Sequence, residues 1–152
     1  MSFNGHDGLN KMTFKDKKIN YKELSGKDKE SYCHHKMASF FADRGYDSQR
    51  LFNDSNGADF IAISFDKKEV IKVQSKSMGG TVMDKKYIGK DIYMCYMDND
   101  YLYLYLHDEY IEFAKENMPH FFESKSWIEK GTYFVNGKDI SKLVREKFLE
   151  KC

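Results

Sequence analysis

The sequence lacks the features that mark membrane proteins and secreted proteins. No run approaches the roughly 20 apolar residues that a membrane-spanning helix needs, and the polar N-terminus, MSFNGHDGLNKMTFKDKK, has no apolar segment of the kind that a signal peptide carries. There are only three cysteines, Cys33, Cys95 and Cys152, and an odd number at wide spacings favours reduced thiols over a disulfide framework. We therefore expect a cytoplasmic protein with no membrane partner.

A large excess of charge of either sign is also missing. The chain has 25 Lys and Arg against 24 Asp and Glu, a net charge of +1. Its overall charge therefore argues neither for nor against a nucleic-acid partner. The lysines are grouped in short runs, and a solvated surface is enough to explain any one of them. These runs are KDKK (15–18), DKK (66–68), DKKYIGK (84–90) and the C-terminal KLVREKFLEK.

Apolar and aromatic residues are plentiful. Of the 152 residues, 41% are hydrophobic and 16% are aromatic, which is enough for a sizeable core, so we expect one globular domain. We assign residues 1–25 to a polar N-terminal arm, 26–117 to the core and 118–152 to a C-terminal extension with a terminal helix. The order of a helix, then strands, then further helices predicts a mixed α/β (α+β) fold.

The segment GKDKESYCHHKMASFFADRGY predicts the first helix. Ser25 or Asp28 can cap its start, and Gly45 can end it. Steps of three and four residues place one set of side chains on a single face of this helix. That face consists of Glu30, Cys33, His34, Met37 and Phe41.

Runs rich in β-branched and aromatic residues predict the strands. YDSQRLF is typical of a short strand followed by the turn NDSNG, while DFIAISF (59–65) and EVIKVQSK (69–76) form a hairpin. A loop from Ser77 to about Lys90 leads to a second pair of strands, IYMCYM (92–97) and YLYLYL (101–106). Helices are predicted for DEYIEFAKEN (108–117) and for the segment from about Asp139 to Glu150.

The strand at 69–76 has an unusual end. Gln74 and Lys76 point the same way at a place where a strand would be expected to bury apolar residues. A hairpin loop of two or four residues places Asp59 opposite Gln74 or Lys76, whereas a three-residue loop needs a bulge to restore that register. In that register an aspartate, an amide oxygen and a lysine meet at one end of the hairpin.

The first helix adds a second carboxylate, Glu30, if its apolar face packs on this sheet. Two carboxylates and an amide oxygen are hard ligands, and they suit Mg²⁺ or, in its place, Mn²⁺. A lysine beside such an ion can stabilise charge on a phosphate. The residues therefore predict a metal site of Glu30, Asp59 and Gln74, with Lys76 beside it, that cleaves phosphodiester bonds.

The order of these residues resembles the PD-(D/E)xK nuclease superfamily. Over residues 25–115 the chain is similar to the small group of group I intron homing endonucleases, in which a glutamine replaces the acid of the motif. In this chain Gln74-Ser75-Lys76 ends the strand that corresponds to the motif. The resemblance implies a restriction-endonuclease-like domain, with an α-β-β-β-α-β core around a central mixed sheet. We favour Glu30 as the glutamate of the motif, and His34, one helical turn further on, is the alternative.

The resemblance also implies a function. It predicts a Mg²⁺-dependent endonuclease for double-stranded DNA in a prokaryotic or phage-infected cell, and cutting both strands implies a homodimer or a higher homo-oligomer. DNA contacts are expected from the N-terminal arm, the C-terminal helix and two groups of lysines. Those groups are Lys67 with Lys68, and Lys85, Lys86 and Lys90. A restriction endonuclease or Holliday junction resolvase on the same fold, and a non-catalytic DNA-binding protein that retains it, stay open.

Overall fold

The computed structural model of the protein describes residues 14–77 and 79–152, so the first thirteen residues of the predicted arm lie outside the described residues. The helices are α1 (Gly26–Ala42), α2 (His107–Asn117) and α3 (Lys142–Phe148). The strands are β1 (Tyr46–Ser55), β2 (Ala58–Ser64), β3 (Val70–Lys76), β4 (Gly80–Asp84), β5 (Ile92–Asp98), β6 (Tyr101–Leu106), β7 (Thr132–Asn136) and β8 (Leu149–Lys151). None of the helices among these residues is long and apolar enough to cross a membrane.

A six-stranded sheet in the order β1-β2-β3-β5-β6-β8 forms the centre of the fold. β3 and β5 are parallel, while the other neighbours in the sheet are antiparallel. The predicted mixed α+β fold with a central mixed sheet is therefore confirmed. The connection from β3 to β5 contains β4 and a single 3-10 turn, Lys85–Tyr87, where many parallel connections contain an α-helix.

The first helix begins and ends where the sequence predicts. The Ser25 side chain accepts a hydrogen bond from the backbone N–H of Asp28 at 3.2 Å, which satisfies a donor that the first turn leaves free. Gly45 follows the helix with a φ of 84°, a left-handed conformation that glycine adopts without strain. The side chains that α1 buries are Cys33, His34, Met37, Phe40 and Phe41.

Other boundaries differ from the prediction. The predicted turn NDSNG is shorter, because β1 continues to Ser55 and the turn consists of Asn56 and Gly57. The predicted loop 77–90 contains β4, which pairs with β7 from far along the chain. The last helix ends at Phe148, and the next residues form β8 on the edge of β6. Local periodicity could not show these strands, because their partners are distant in sequence.

The two faces of the sheet carry different clusters of buried side chains. α1 covers a cluster that includes Phe60, Val73 and Cys95. The opposite cluster includes Met94 and Tyr96, and side chains of α2 and α3 belong to it. Because side chains alternate along a strand, β5 and β6 contribute neighbouring residues to opposite clusters.

Gly57 gives a test of the packing between the β1–β2 turn and the segment after β4. A Cβ atom at Gly57 (φ 85°) would lie 2.7 Å from Cε1 of the buried Tyr87 ring, whereas at Gly89 (φ 74°) a Cβ atom would meet nothing within 4 Å. We expect Gly89→Ala to cost about 1–2 kcal/mol for the left-handed conformation alone. Gly57→Ala should cost clearly more, because the Tyr87 ring must also move. Urea unfolding of the two variants measures the difference, and equal losses would contradict the contact.

Candidate functional site

The β2–β3 hairpin has the register that places Asp59 beside Gln74. Phe60 lies opposite Val73 and Ile61 opposite Lys72, so the next opposed pair in the same register is Asp59 and Gln74. The Gln74 Nε2 donates a hydrogen bond to Asp59 Oδ2 at 2.8 Å. The predicted register is therefore present, although the amide nitrogen and not the predicted amide oxygen faces Asp59.

Ser75 completes the surroundings of the Asp59 carboxylate. Its backbone N–H and its Oγ donate to Asp59 Oδ2 at 2.9 Å and 3.0 Å. All three donors therefore converge on one oxygen, and no hydrogen bond among the described residues reaches Oδ1. Ser75 was not predicted as a site residue, because its position between Gln74 and Lys76 is the one signal that the sequence carries.

The Gln74 amide has one orientation in this arrangement. The side chain is buried, with 5% of the residue exposed, and Nε2 is directed to Asp59 Oδ2 and, at 3.4 Å, to the Ser75 carbonyl oxygen. The carbonyl oxygen Oε1 therefore keeps its acceptor capacity, since none of the described residues donates to it. Asp59 Oδ1 and Gln74 Oε1 are thus two oxygen atoms, in neighbouring side chains, of the kind that binds hard metal ions.

Lys76 ends β3 two residues beyond Gln74. It is exposed and pairs in register with Tyr96 of β5. Its ammonium forms no ion pair with any residue that the structure describes. Gln74 pairs in register with Met94. The side chains of Gln74 and Lys76 therefore lie on the sheet face of Met94 and Tyr96, opposite to the face that α1 covers.

Glu30 is not among the residues that α1 buries, and its role as a metal ligand stays a prediction. Its side chain is 68% exposed and forms an ion pair with Arg50, with 3.3 Å between Glu30 Oε1 and Arg50 Nη2. Helical periodicity gave the right face of α1, but it could not show that Arg50 of β1 draws Glu30 to the rim of that face. The contacts of Glu30 are with β1, and those of Asp59 are with β3.

His34 lies one turn further along α1 and is buried. Its ring packs edge-on against Phe60, the residue after Asp59, with 5.1 Å between the ring centroids. Burial lowers the pKa of His34, as do the charge of Arg50 and the neighbouring His35, while the Asp59 carboxylate acts in the opposite direction. His34 is therefore a helix side chain that packs beside the strand of Asp59, as is Phe41, whose ring also lies edge-on to Phe60.

The donor set fits a divalent ion that keeps part of its hydration. Among residues 14–77 and 79–152, no three His, Cys, Asp or Glu side chains are grouped so that they could hold a metal ion. An ion here would bind the free oxygens of Asp59 and Gln74, with waters or substrate phosphates as its other ligands. Mg²⁺ is commonly bound through so few protein oxygens.

The segment 84–90, called the lysine loop below, lies beside the β1–β2 turn through Tyr87, whose ring faces Gly57. The Lys85 ammonium lies over the Trp127 ring, 5.2 Å from its centroid. The Lys86 ammonium is 3.6 Å from Asp84 Oδ2 and lies over the Tyr87 ring. Lys90 is exposed, and its carbonyl oxygen accepts a hydrogen bond from the Lys72 ammonium.

Lys67 and Lys68 lie in the turn between β2 and β3, at the opposite end of the hairpin from Asp59 and Gln74. A strand of this length places them roughly 15–20 Å from the carboxylate. Both are exposed. They are separate from the lysine loop, so any contact they make with DNA would lie away from Asp59.

Comparisons with known proteins include a similarity to a solved structure. No protein-family model matches the chain, and no curated protein matches it. The solved structure of a bacterial homing endonuclease is similar, with a TM-score of 0.42 and 18% sequence identity, over 57% of this chain and 69% of that chain. The function proposed below rests on the contacts of Asp59, Gln74 and Ser75.

The buried His34 predicts a pH dependence of stability. Its pKa in the folded chain lies below the ordinary value of 6.5, so the unfolded chain binds a proton first as the pH falls. This contribution to stability is complete above about pH 6.5 and is lost as the pH falls towards the lowered pKa. We expect His34→Gln to lose less stability on acidification than the wild type, measured by urea unfolding across that range. His120→Gln removes an exposed histidine outside α1 and should follow the wild type, and a His34→Gln curve parallel to the wild type would contradict the assignment.

Proposed function

We propose that the chain is a divalent-metal-dependent endonuclease that hydrolyses phosphodiester bonds in double-stranded DNA, in the manner of a site-specific homing endonuclease. The observation that carries the proposal is the fixed Asp59 carboxylate. Three donors hold its Oδ2, while none of the described residues donates to Oδ1 or to the neighbouring Gln74 Oε1. Lys76 follows on the same strand, and no residue that the structure describes forms an ion pair with it. Oxygen donors beside a free ammonium suit the chemistry of phosphate diesters.

Asp59 and Gln74 would hold the ion, Mg²⁺ or Mn²⁺, through their free oxygens. When bound, the ion supplies charge stabilisation at the phosphate and lowers the pKa of a coordinated water. Ser75 and the Gln74 amide nitrogen keep Asp59 in one orientation, so little reorganisation is needed when substrate binds. Lys76 can donate hydrogen bonds to a phosphate oxygen and stabilise the charge that develops there.

A third protein group would come from α1. Glu30 can reach the ion only if it leaves Arg50, and breaking an exposed ion pair of this kind costs about 0–1 kcal/mol. His34 is already packed against Phe60 in the neutral form that its lowered pKa favours. The packing of α1 therefore favours His34, and an imidazole in the ligand set would shift preference from Mg²⁺ towards Mn²⁺.

DNA binding and assembly follow from having one such site in each chain. Two cuts in a duplex need two sites, so we propose a homodimer or a higher homo-oligomer with two-fold symmetry. The lysine loop lies beside the β1–β2 turn through Tyr87, and its lysines are suited to contact phosphates. Sequence readout would come from elements outside the sheet, including α3 and residues of the N-terminal arm.

A non-catalytic DNA-binding protein is the second candidate. It is favoured by the glutamine at position 74, which gives the ion one negative charge fewer than an acid would, and by the lack of a three-ligand cluster in the described part of the chain. Isothermal titration calorimetry with Mn²⁺, on the wild type and on Asp59→Asn, measures metal binding and separates the two candidates. Binding that Asp59→Asn abolishes supports the nuclease, and no binding in either protein supports the DNA-binding protein.

Loss of Asp59 or Lys76 should stop cleavage without stopping DNA binding. We expect Asp59→Asn and Lys76→Ala each to reduce cleavage by about a thousandfold, equivalent to about 4 kcal/mol in the barrier. Affinity for target duplex should change little, because most of it comes from phosphate contacts elsewhere. Lys115→Ala, which removes an exposed lysine from α2, controls for the loss of one positive charge. A Lys76→Ala protein that cuts at the wild-type rate would remove Lys76 from the site.

Paired substitutions on α1 identify the third group. We expect His34→Gln to reduce cleavage by about a hundredfold and Glu30→Gln to keep most of it, because His34 packs beside the Asp59 strand and Glu30 is held by Arg50. The wild type should then cut faster with Mn²⁺ than with Mg²⁺. The opposite pattern, an inactive Glu30→Gln protein and a Mg²⁺ preference, would show that the helix supplies its carboxylate after leaving Arg50.

A further inference from the structure

The lysine loop is fastened to the start of α2 at two points. The backbone N–H of Asp84 donates to His107 Nε2 at 3.0 Å, and the backbone N–H of Gly89 donates to Asp108 Oδ2 at 2.9 Å. These bonds hold the loop near each of its ends. Between them, the Tyr87 ring packs edge-on against the His107 ring, with 5.5 Å between centroids.

His107 and Asp108 also hold one another. His107 Nδ1 lies 3.2 Å from Asp108 Oδ1. Because Nε2 accepts from Asp84, the neutral ring carries its proton on Nδ1 and donates it to Asp108. His107 is fully buried, and burial lowers its pKa, which favours this neutral form although the Asp108 and Asp84 carboxylates act in the opposite direction. We call this pair the His107–Asp108 clasp.

The buried His107 has no role in the chemistry proposed for Asp59. Among the described residues, the hydrogen bonds of the clasp lead to the backbone of the lysine loop and to its own members, and none joins it to Asp59. The loop carries Lys85 and Lys86 with their side chains already placed over Trp127 and Tyr87. Both oxygens of Asp108 and both ring nitrogens of His107 are thus engaged in fixing one loop conformation.

We propose that His107 and Asp108 are positioning residues that hold the lysine loop in one conformation for contact with the phosphate backbone of duplex DNA. This inference rests on the proposed function. A loop that is ordered before binding loses less conformational entropy when it meets its partner, so the clasp raises affinity without touching DNA. The three lysines then meet the duplex as one group, and this sets how many counterions are released.

Asp108→Asn and Glu109→Gln form a matched pair for the test. Both remove one negative charge from the first turn of α2, so both change the long-range field for DNA equally. In Asp108→Asn the new amide would offer one oxygen to two donors, so one bond of the clasp must be lost. Glu109 is exposed and outside the clasp, so its variant leaves those bonds intact.

The first measurement is amide hydrogen exchange of residues 84–90 without DNA. We expect Asp108→Asn to accelerate exchange in this segment by about fivefold, the factor that corresponds to loss of one hydrogen bond. Glu109→Gln should exchange like the wild type. His107→Gln, which can place an oxygen near the position of Nε2, should exchange more slowly than His107→Phe, which cannot. Unchanged exchange in Asp108→Asn would overturn the clasp.

The second measurement is binding to a fluorescent duplex without divalent metal, across a series of salt concentrations. Asp108→Asn should bind about fivefold more weakly than Glu109→Gln and show a smaller dependence of log Kd on log salt. A loosened loop with unchanged affinity and salt dependence would overturn the positioning role. A wild-type chain that binds no duplex would overturn the proposed function together with the DNA part of this inference, while the exchange result would still decide the clasp.

Discussion

The Asp59 carboxylate is the contact on which the candidate site depends. One of its oxygens accepts hydrogen bonds from the Gln74 side chain and from the backbone and side chain of Ser75. These bonds tie the start of β2 to the end of β3 at the point where the β2–β3 ladder stops. The same bonds fix the direction of the Gln74 amide. The positions of Asp59 Oδ1 and Gln74 Oε1 therefore both depend on the hydrogen bonds to one carboxylate.

The sheet places different groups around this contact according to its two faces. α1 and its buried His34 cover the face of Phe60, while Lys76 leaves β3 on the opposite face, above Met94 and Tyr96. α1 and Lys76 therefore lie on different faces of the sheet. The lysine loop packs against the β1–β2 turn through Tyr87, which lies beside Gly57 and edge-on to the His107 ring of the His107–Asp108 clasp.

The sequence could predict the features that depend on near neighbours. Alternation along the two strands and the length of their turn were enough to bring Asp59 and Gln74 together, and Ser25 and Gly45 were enough to bound α1. The role of Ser75 was not predictable, because it depends on a backbone N–H at the end of a ladder. The ion pair of Glu30 was not predictable, because its partner Arg50 lies on another element. β4, β7 and β8 were missed because each pairs with a strand distant in sequence.

The pairing of β8 with β6 has a consequence for how the chain folds during synthesis. β6 is complete at residue 106, but the strand that covers its edge begins only at residue 149. Until that later segment has been made, β6 presents open backbone donors and acceptors, which are a template for pairing with another chain. We therefore expect nascent copies to associate through the tyrosine-rich β6 before the C-terminal segment is made. Once β8 has paired with β6, this edge is covered within the chain.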